Sequence, residues 1–295
     1  MSRWLISVPV WGERYVEESC AAALPTLQSA AGVLNMTHAV DVRLIVHTDQ
    51  PDRIRTATSL VVETRPVPAG ARDFDCMSQA HREVLATGMR DDVVVLLTAG
   101  AVISGNGLRY CADVLADNSQ LHLILCAVPR VLQEGPLPDT ADARGLMAWA
   151  WDHRHPIVTD CTWPDGRSAD LSRTFFEREG TVVTRQCLPH PLAVKIDGRR
   201  VNFTPTVDAN LMQCFGLSEM HLVQDCKALA LIKLSPPDKG HQLVAGTMRA
   251  RLENYELRIP DPVQRWCLGH KVVLVGEPRD CGDAAFVEKI MSLGG

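Results

Sequence analysis

Apolar residues in the first half of the chain fall into short blocks separated by longer amphipathic stretches. Trp4-Leu5-Ile6-Ser7-Val8 is closed by Pro9. Val42-Arg43-Leu44-Ile45-Val46-His47, Leu60-Val61-Val62-Glu63-Thr64, Val93-Val94-Val95-Leu96-Leu97 and the run from Leu121 to Val128 follow. Blocks of this length, rich in Val, Ile and Leu, predict strands. The block at Val93 is apolar at every position, as a central parallel strand covered on both faces should be. Between the blocks, helices are predicted from about Glu13 to Leu34, from Phe74 to Thr87 and from about Gly107 to Ala116. The first of these should bend or divide at Pro25, because proline lacks the N–H that the helical ladder needs. Thr48-Asp49-Gln50-Pro51-Asp52 is a polar turn with helix-start chemistry. Strands alternating with helices predict βαβ units, hence an α/β fold with a Rossmann-like, mostly parallel sheet. Ligands of such sheets bind beyond the carboxyl ends of the strands. The segments to inspect are therefore Pro9 to Glu13, Thr48 to Asp52, Thr98 to Ser104, and Pro129-Arg130.

After Arg130 the rhythm changes. Gln133 to Pro138 reads as a loop and Thr140 to Asp152 as a helix, followed by polar and aromatic loops that carry His153, His155, Trp163 and His190. Asp197-Gly198 is a hairpin-turn signal between Leu192-Ala193-Val194-Lys195 and Val201-Asn202-Phe203. Pro236-Pro237-Asp238-Lys239-Gly240 reads as a loop before a terminal helical region. The expected organisation is an α/β half over 1–130, a second half of the same domain over 131–240, and a C-terminal helical region over 241–295, the last parts forming an α+β extension of the sheet.

Composition narrows the reading. Of 295 residues, 46% are hydrophobic, enough for a sizeable core, and a net charge of −5 supplies no overall field to draw the chain onto nucleic acid. No apolar run reaches the length of a membrane span, and the N-terminus leads straight into a strand-like run rather than a signal peptide. Ten cysteines are present and no pair is spaced C-x-x-C, which argues against a zinc ribbon or a thioredoxin-type site and for buried, reduced thiols in a cytoplasmic protein. Neither G-x-G-x-x-G nor the P-loop pattern occurs, which argues against an ordinary dehydrogenase or P-loop NTPase.

Several ordered motifs carry a resemblance. In the first half they are Ile6-Ser7-Val8-Pro9-Val10-Trp11, Ile45-Val46-His47-Thr48-Asp49, and the run from Val93 through Thr98-Ala99-Gly100 to Ser104. In the second half they are His155-Pro156, Leu188-Pro189-His190-Pro191-Leu192, Thr204-Pro205-Thr206-Val207-Asp208, and His221-Leu222-Val223-Gln224-Asp225-Cys226. Together, over residues 1 to about 235, the chain resembles GT-A-type glycosyltransferases, and more narrowly bacterial glycosyltransferase-like proteins with a histidine-rich second half. The resemblance implies a GT-A-like sheet, a nucleotide-sugar donor, and transfer of its sugar to an acceptor that is a glycan, lipid, protein or modified nucleobase. It implies that Pro9, Trp11 and Glu13 line one side of the donor site, and that Asp49 reaches the base or ribose. The fourth strand of such enzymes usually ends in an Asp-x-Asp pair holding a divalent cation, Mn or Mg, against the diphosphate. Here that place reads Thr98-Ala99-Gly100. The departure puts metal dependence in question and leaves two outcomes, another group doing the work or loss of catalysis.

Substitutes exist in the sequence. Asp225 and Asp208 are the candidate catalytic bases that would take the acceptor's proton. His155, His190 and Asp225 are candidate ligands for a metal or for phosphate oxygens, and Arg130, just past a buried strand, offers a guanidinium to phosphate. Plainer readings stand beside each. Asp208 would cap a helix through Asn210, Leu211 and Met212. Asp49 with Pro51 is an ordinary turn pair, His190 sits rigidly between prolines, Arg130 pairs with Glu134, and Trp11 and Trp163 pack. Two other functions stay open, a non-catalytic GT-A-like binding module and a His/Asp metal-dependent hydrolase, the latter without any H-x-x-x-H or H-E-x-x-H spacing. Self-association into a homo-oligomer is also left open.

Overall fold

The computed structural model describes residues 2–69, 73–132, 135–168, 173–199, 201, 210–237, 243, 245–253 and 261–292. The predicted strands form at β1 (Arg3–Pro9), β2 (Asp41–His47), β3 (Val61–Arg65), β4 (Val93–Leu96) and β6 (Leu123–Cys126). They assemble with β10 (His190–Lys195) and β11 (Met220–Leu222) into a seven-stranded sheet of order β11-β6-β10-β4-β1-β2-β3. β4, β1, β2 and β3 run parallel, as do β6 and β11, and β10 runs antiparallel to both β4 and β6. The chain is thus a mixed α/β protein around a mostly parallel central sheet.

Alternation along the strands explains the three layers. Leu5 on β1 and Val94 and Leu96 on β4 face one apolar cluster, which includes Val84 and Leu85 of the helix Asp73–Thr87. Trp4, Ile6 and Val8, with Val93 and Val95, face the other, which includes Leu27, Ala30 and Leu34 of the long N-terminal helix and Leu108 and Cys111 of the helix Gly107–Asp117. A strand apolar on both faces is the only kind that both layers can bury.

The N-terminal helix is divided, but not by a break at Pro25. Glu13–Glu18 and Leu24–Thr37 are α-helical and Ser19–Ala23 between them is a π turn. Pro25 has no N–H for the carbonyl four residues back, so the widened turn falls just ahead of it and the chain continues in helical conformation. The π turn carries Ser19, whose Oγ accepts a hydrogen bond of 3.3 Å from the Gly100 N–H, tying this helix to the turn after β4.

The second half departs further from expectation. The stretch expected as loops before His190 contains the antiparallel hairpin β8 (Arg173–Arg178) and β9 (Thr181–Gln186). Its turn residues Glu179 and Gly180 both have positive φ, 50° and 72°, the type I′ geometry that matches strand twist. The expected terminal helical region contains a strand, β13 (Val272–Val275), which joins β9, between the helices Pro262–Gly269 and Asp283–Ser292. The hairpin expected across Asp197-Gly198 does not form as predicted: β10 pairs with β4 and β6, Val201 lies outside any strand, and Asn202 and Phe203 lie outside the described residues. A small sheet of β5 (Ala101–Ile103), β12 (Leu231–Ser235) and β7 (Arg130–Leu132) completes the fold. All ten cysteines are free thiols. Among the described residues, no helix is long and apolar enough to cross a membrane.

A buried ion pair anchors the C-terminal helix. Asp283 is wholly buried and takes Arg185 of β9 at 2.7 Å, while the Arg185 guanidinium also donates to the carbonyls of Leu268 and Gly269. Burial would raise the Asp283 carboxyl, but Arg185, the Cys281 N–H and Lys271 hold it below its ordinary value. Asp283→Asn leaves Arg185 buried without its counter-charge and should cost about 3–5 kcal/mol in urea unfolding at neutral pH. A folded value below the unfolded one means this stabilisation is complete above about pH 4 and lost as pH falls through the folded value. The deficit of the variant should therefore shrink in acid.

Candidate functional site

The carboxyl ends of the parallel strands open onto a cavity of about 450 Å³. Four strands of the central sheet bring residues to it by their direction alone. β1 ends at Pro9 and is followed by Trp11. β4 is followed by Thr98 and Ala99, and the chain after β6 delivers Val128 and Arg130. β10 runs the other way, so its first residue, His190, arrives where its neighbours end. Lys233 comes from β12, Arg173 from the start of β8, and Asp73, Phe74 and Met77 from the first two turns of the helix Asp73–Thr87.

The cavity has an aromatic side and a cationic side. Trp11 and Tyr15 are half-buried and Phe74 is exposed, 60% accessible, at the mouth. Aromatic faces left open to a cleft are stacking surfaces for flat or apolar ligand groups. Arg130 and Lys233 are Cα partners at one register of the parallel β7–β12 pair, and Arg173 joins them from another sheet. Among the described lining residues, Asp73 is the one carboxylate. The His190 Nε2 donates to the Leu96 carbonyl at 2.8 Å, which fixes the ring at the end of β4 and assigns the proton to Nε2.

The turn Thr98-Ala99-Gly100 is held tightly. Gly100 has φ +71°, and a Cβ there would meet the Leu234 carbonyl oxygen at 3.0 Å. Its own carbonyl accepts from the Leu234 N–H at 2.9 Å. The turn carries no carboxylate, so it does not itself supply the clustered hard oxygens by which a divalent cation is held. Among the described residues, one group of His, Asp and Glu has metal-ligand spacing: His122, Asp197 and Glu219. It lies at the opposite rim of the sheet, before β6 and β11 and after β10, and Arg199 bridges its two carboxylates at 2.6 and 2.5 Å. An ion-pair network accounts for that cluster.

Of the residues singled out from sequence, Pro9, Trp11, Thr98, Arg130 and His190 meet in the cavity. Glu13, Asp49, His155 and Asp225 are not among its described lining residues. Glu13 is exposed, bound to Arg53 and Gln50, and hydrogen bonds first from Arg53 and then from Gln50 hold its carboxyl below the ordinary value. Asp49 accepts from the Gly12 N–H at 3.1 Å and so ties the loop after β2 to the loop after β1. His155 is buried and caps the helix Pro156–Asp160: Nδ1 accepts from the Ile157 N–H at 3.2 Å and Nε2 donates to the Pro236 carbonyl at 3.0 Å. With both nitrogens so used, His155 is a capping residue rather than a metal or phosphate ligand. Asp225 accepts from the Lys227 N–H at 2.9 Å in a turn and makes a backbone bridge to Val273, away from the cavity lining. Asp208 lies outside the described residues.

Sequence reasoning missed Tyr15, Asp73, Phe74, Met77, Arg173 and Lys233. One of them had a signal: Lys233 is the lone charge in Leu229-Ala230-Leu231-Ile232-Lys233-Leu234, where a buried strand admits a cation only at an opening. Arg173 and Asp73 reach the site from elements whose position depends on long-range packing.

No family model matches the chain, and no curated protein matches it. Solved structures do. A mycobacterial protein is similar at 17% identity and a TM-score of 0.40, over 75% of this chain and 64% of its own length, so the chain spans somewhat less than two thirds of that protein. Glucosyl-3-phosphoglycerate synthase from Mycobacterium tuberculosis, in complex with Mn2+, UDP and phosphoglyceric acid, is similar at 16% identity and a TM-score of 0.36, over 75% of this chain and 68% of that one. A mannosyltransferase from Pyrobaculum calidifontis, in complex with GDP-Man and Mn2+, is similar at 12% identity and a TM-score of 0.45, over 99% of this chain and 75% of that one.

The bridged cluster at the far rim gives a test with a definite sign. Hydrogen bonds from Arg199 and then the Gly216 N–H pull the Glu219 carboxyl down to about 2. Arg199→Gln should lower stability by about 1 kcal/mol at pH 7. Because the folded value lies below the ordinary glutamate value near 4.3, the gap between variant and parent should close as pH falls from about 4.3 towards 2 in urea melts taken across that range.

Proposed function

We propose that the chain is a glycosyltransferase-like protein that takes a nucleotide-sugar donor into this cavity and passes the sugar to an acceptor. The observation that carries the reading is the meeting of an aromatic side, Trp11, Tyr15 and Phe74, with a cationic side, Arg130, Arg173 and Lys233, at the carboxyl ends of the parallel strands. A flat base on the first and a diphosphate on the second match the two halves of such a donor. A cavity of about 450 Å³ is within the size range of small-molecule sites.

Asp73, exposed at the mouth, is the carboxylate among the described lining residues that would take a proton from an incoming hydroxyl. In the transfer the acceptor oxygen forms a bond to the anomeric carbon as the bond from that carbon to the diphosphate oxygen breaks. The leaving diphosphate keeps the electron pair, and the hydroxyl proton passes to the Asp73 carboxylate. His190, held by the Leu96 carbonyl, shapes the cavity at the end of β4.

A second reading has its own observation in its favour: the turn Thr98-Ala99-Gly100 lacks carboxylates, as a binding module that has given up turnover would. Thermal-shift screening against UDP-, GDP-, CMP- and dTDP-sugars should raise the melting temperature with at least one donor. With that donor, release of the nucleoside diphosphate in the presence of acceptor candidates separates the readings. Asp73→Asn should keep the thermal shift and lower turnover about 10²–10⁴-fold. Turnover unchanged in Asp73→Asn rules this residue out as the base, and a shift without turnover under any acceptor supports the binding module.

A further inference from the structure

We propose that the acceptor carries its hydroxyl on an aromatic ring, and that Phe74 and Met77 hold that ring beside Asp73. The inference rests on the donor reading above and deepens it by naming the acceptor's class. Its first support is exposure. Six large apolar side chains stand exposed among the described residues, and of these Phe74 is the one aromatic and the one that lines the cavity. A lone apolar side chain on a surface needs no account, but a ring left open at the mouth of a cleft, with a second large apolar residue beside it, is a contact surface for a ligand.

The second support is the division of labour on the helix Asp73–Thr87. Phe74 and Met77 are three residues apart and Asp73 and Met77 four, so the three share one face of its first two turns, and all three line the cavity. Packing of the helix is done by other residues. Cys76, Ala80 and Val84 are buried, and His81 shares a 2.8 Å hydrogen bond with Ser7 of β1. Neither Phe74 nor Met77 belongs to an apolar core cluster of the described residues. Two large apolar side chains thus stand at the opening without serving the core, next to the carboxylate that would take the acceptor's proton.

The pair suits a flat ring. A Phe ring meets another ring face to face with an offset or edge to face, and a Met thioether makes a favourable contact with a ring edge. Trp11 and Tyr15 reach the cavity from the chain after β1 and serve the donor's base. A phenolic hydroxyl, with a pKa of about 10, yields its proton far more readily than water does. In the transfer the phenolic oxygen bonds to the anomeric carbon, its proton passes to the Asp73 carboxylate, and the diphosphate leaves with the electron pair of the broken bond.

The test is saturation-transfer NMR titration of the full chain with 2-naphthol, 1-octanol and glycerol, beside titrations with UDP-glucose, GDP-mannose, CMP-neuraminate and dTDP-glucose in Mn2+. At least one sugar nucleotide should bind. 2-Naphthol should bind about 2- to 10-fold more tightly than 1-octanol, the margin of a ring–ring contact over plain apolar burial, and glycerol should show no transfer. Phe74→Leu keeps apolar bulk and removes the ring, so it should bring 2-naphthol to the level of 1-octanol, while Phe74→Tyr should restore the margin. Met77→Ala should weaken 2-naphthol by a similar factor, and matched circular dichroism melts show that the variants fold. With a sugar nucleotide bound, 2-naphthol no tighter than 1-octanol overturns the inference and leaves the donor reading standing. So does a folded Phe74→Leu that binds 2-naphthol like the parent. Phe74→Leu that weakens the sugar nucleotide and not 2-naphthol assigns the ring to the donor's base and also overturns the inference. Binding of no sugar nucleotide overturns the donor reading and with it the acceptor's place in this cavity.

Discussion

β10 runs against its neighbours, and most of the site follows from that direction. Its residues His190 to Lys195 pair antiparallel with β4 on one side and β6 on the other, closing what would otherwise be two open sheet edges. A parallel strand inserted there would bring its last residue to the carboxyl rim. An antiparallel one brings its first, so the chain entering β10 arrives at the rim where β1, β4 and β6 leave it. That places His190 against the Leu96 carbonyl and draws the preceding hairpin, with Arg173, towards the same opening. The chain leaving β10 goes to the far rim instead, where Asp197 and Arg199 join Glu219 in the ion-pair network.

The walls of the cavity are held from behind by contacts that never touch it. Ser7 in the middle of β1 shares a 2.8 Å hydrogen bond with His81, both fully buried, which fixes the helix Asp73–Thr87 against the sheet. That helix carries Asp73, Phe74 and Met77 to the mouth, one to two turns from the anchor. On the other side Ser19, turned inward by the π turn ahead of Pro25, holds the Gly100 N–H. Buried hydrogen bonds of this kind have no water to exchange with, so they hold the helix and the turn after β4 against the sheet.

Charge behaves differently at the two scales. The chain as a whole carries −5, which describes solubility and long-range fields. Among the described residues lining the cavity are three cations, Arg130, Arg173 and Lys233, and one carboxylate, Asp73. Overall acidity therefore says nothing against an anionic ligand at this rim, because fields inside a low-dielectric cleft are set by the groups that line it.

Repeating apolar blocks and the helices between them determined the sheet's parallel half, since a strand buried on both faces must be apolar throughout and a crossover helix must be amphipathic. The same reading placed Pro9, Trp11, Thr98 and Arg130 at strand ends, because strand direction follows directly from βαβ order. His190 could be suspected from its place between prolines, but not located. What tertiary structure alone decided was where the second half of the chain goes. Local pattern reads the hairpin at Glu179-Gly180 as loop and the strand Val272–Val275 as part of a helical region, because short strands and polar turns acquire their roles from partners far away in sequence. Local pattern records which face a residue turns inward. It carries no record of which distant strand will lie beside it, and at this site that pairing brings Arg173, Lys233 and Asp73 to one opening.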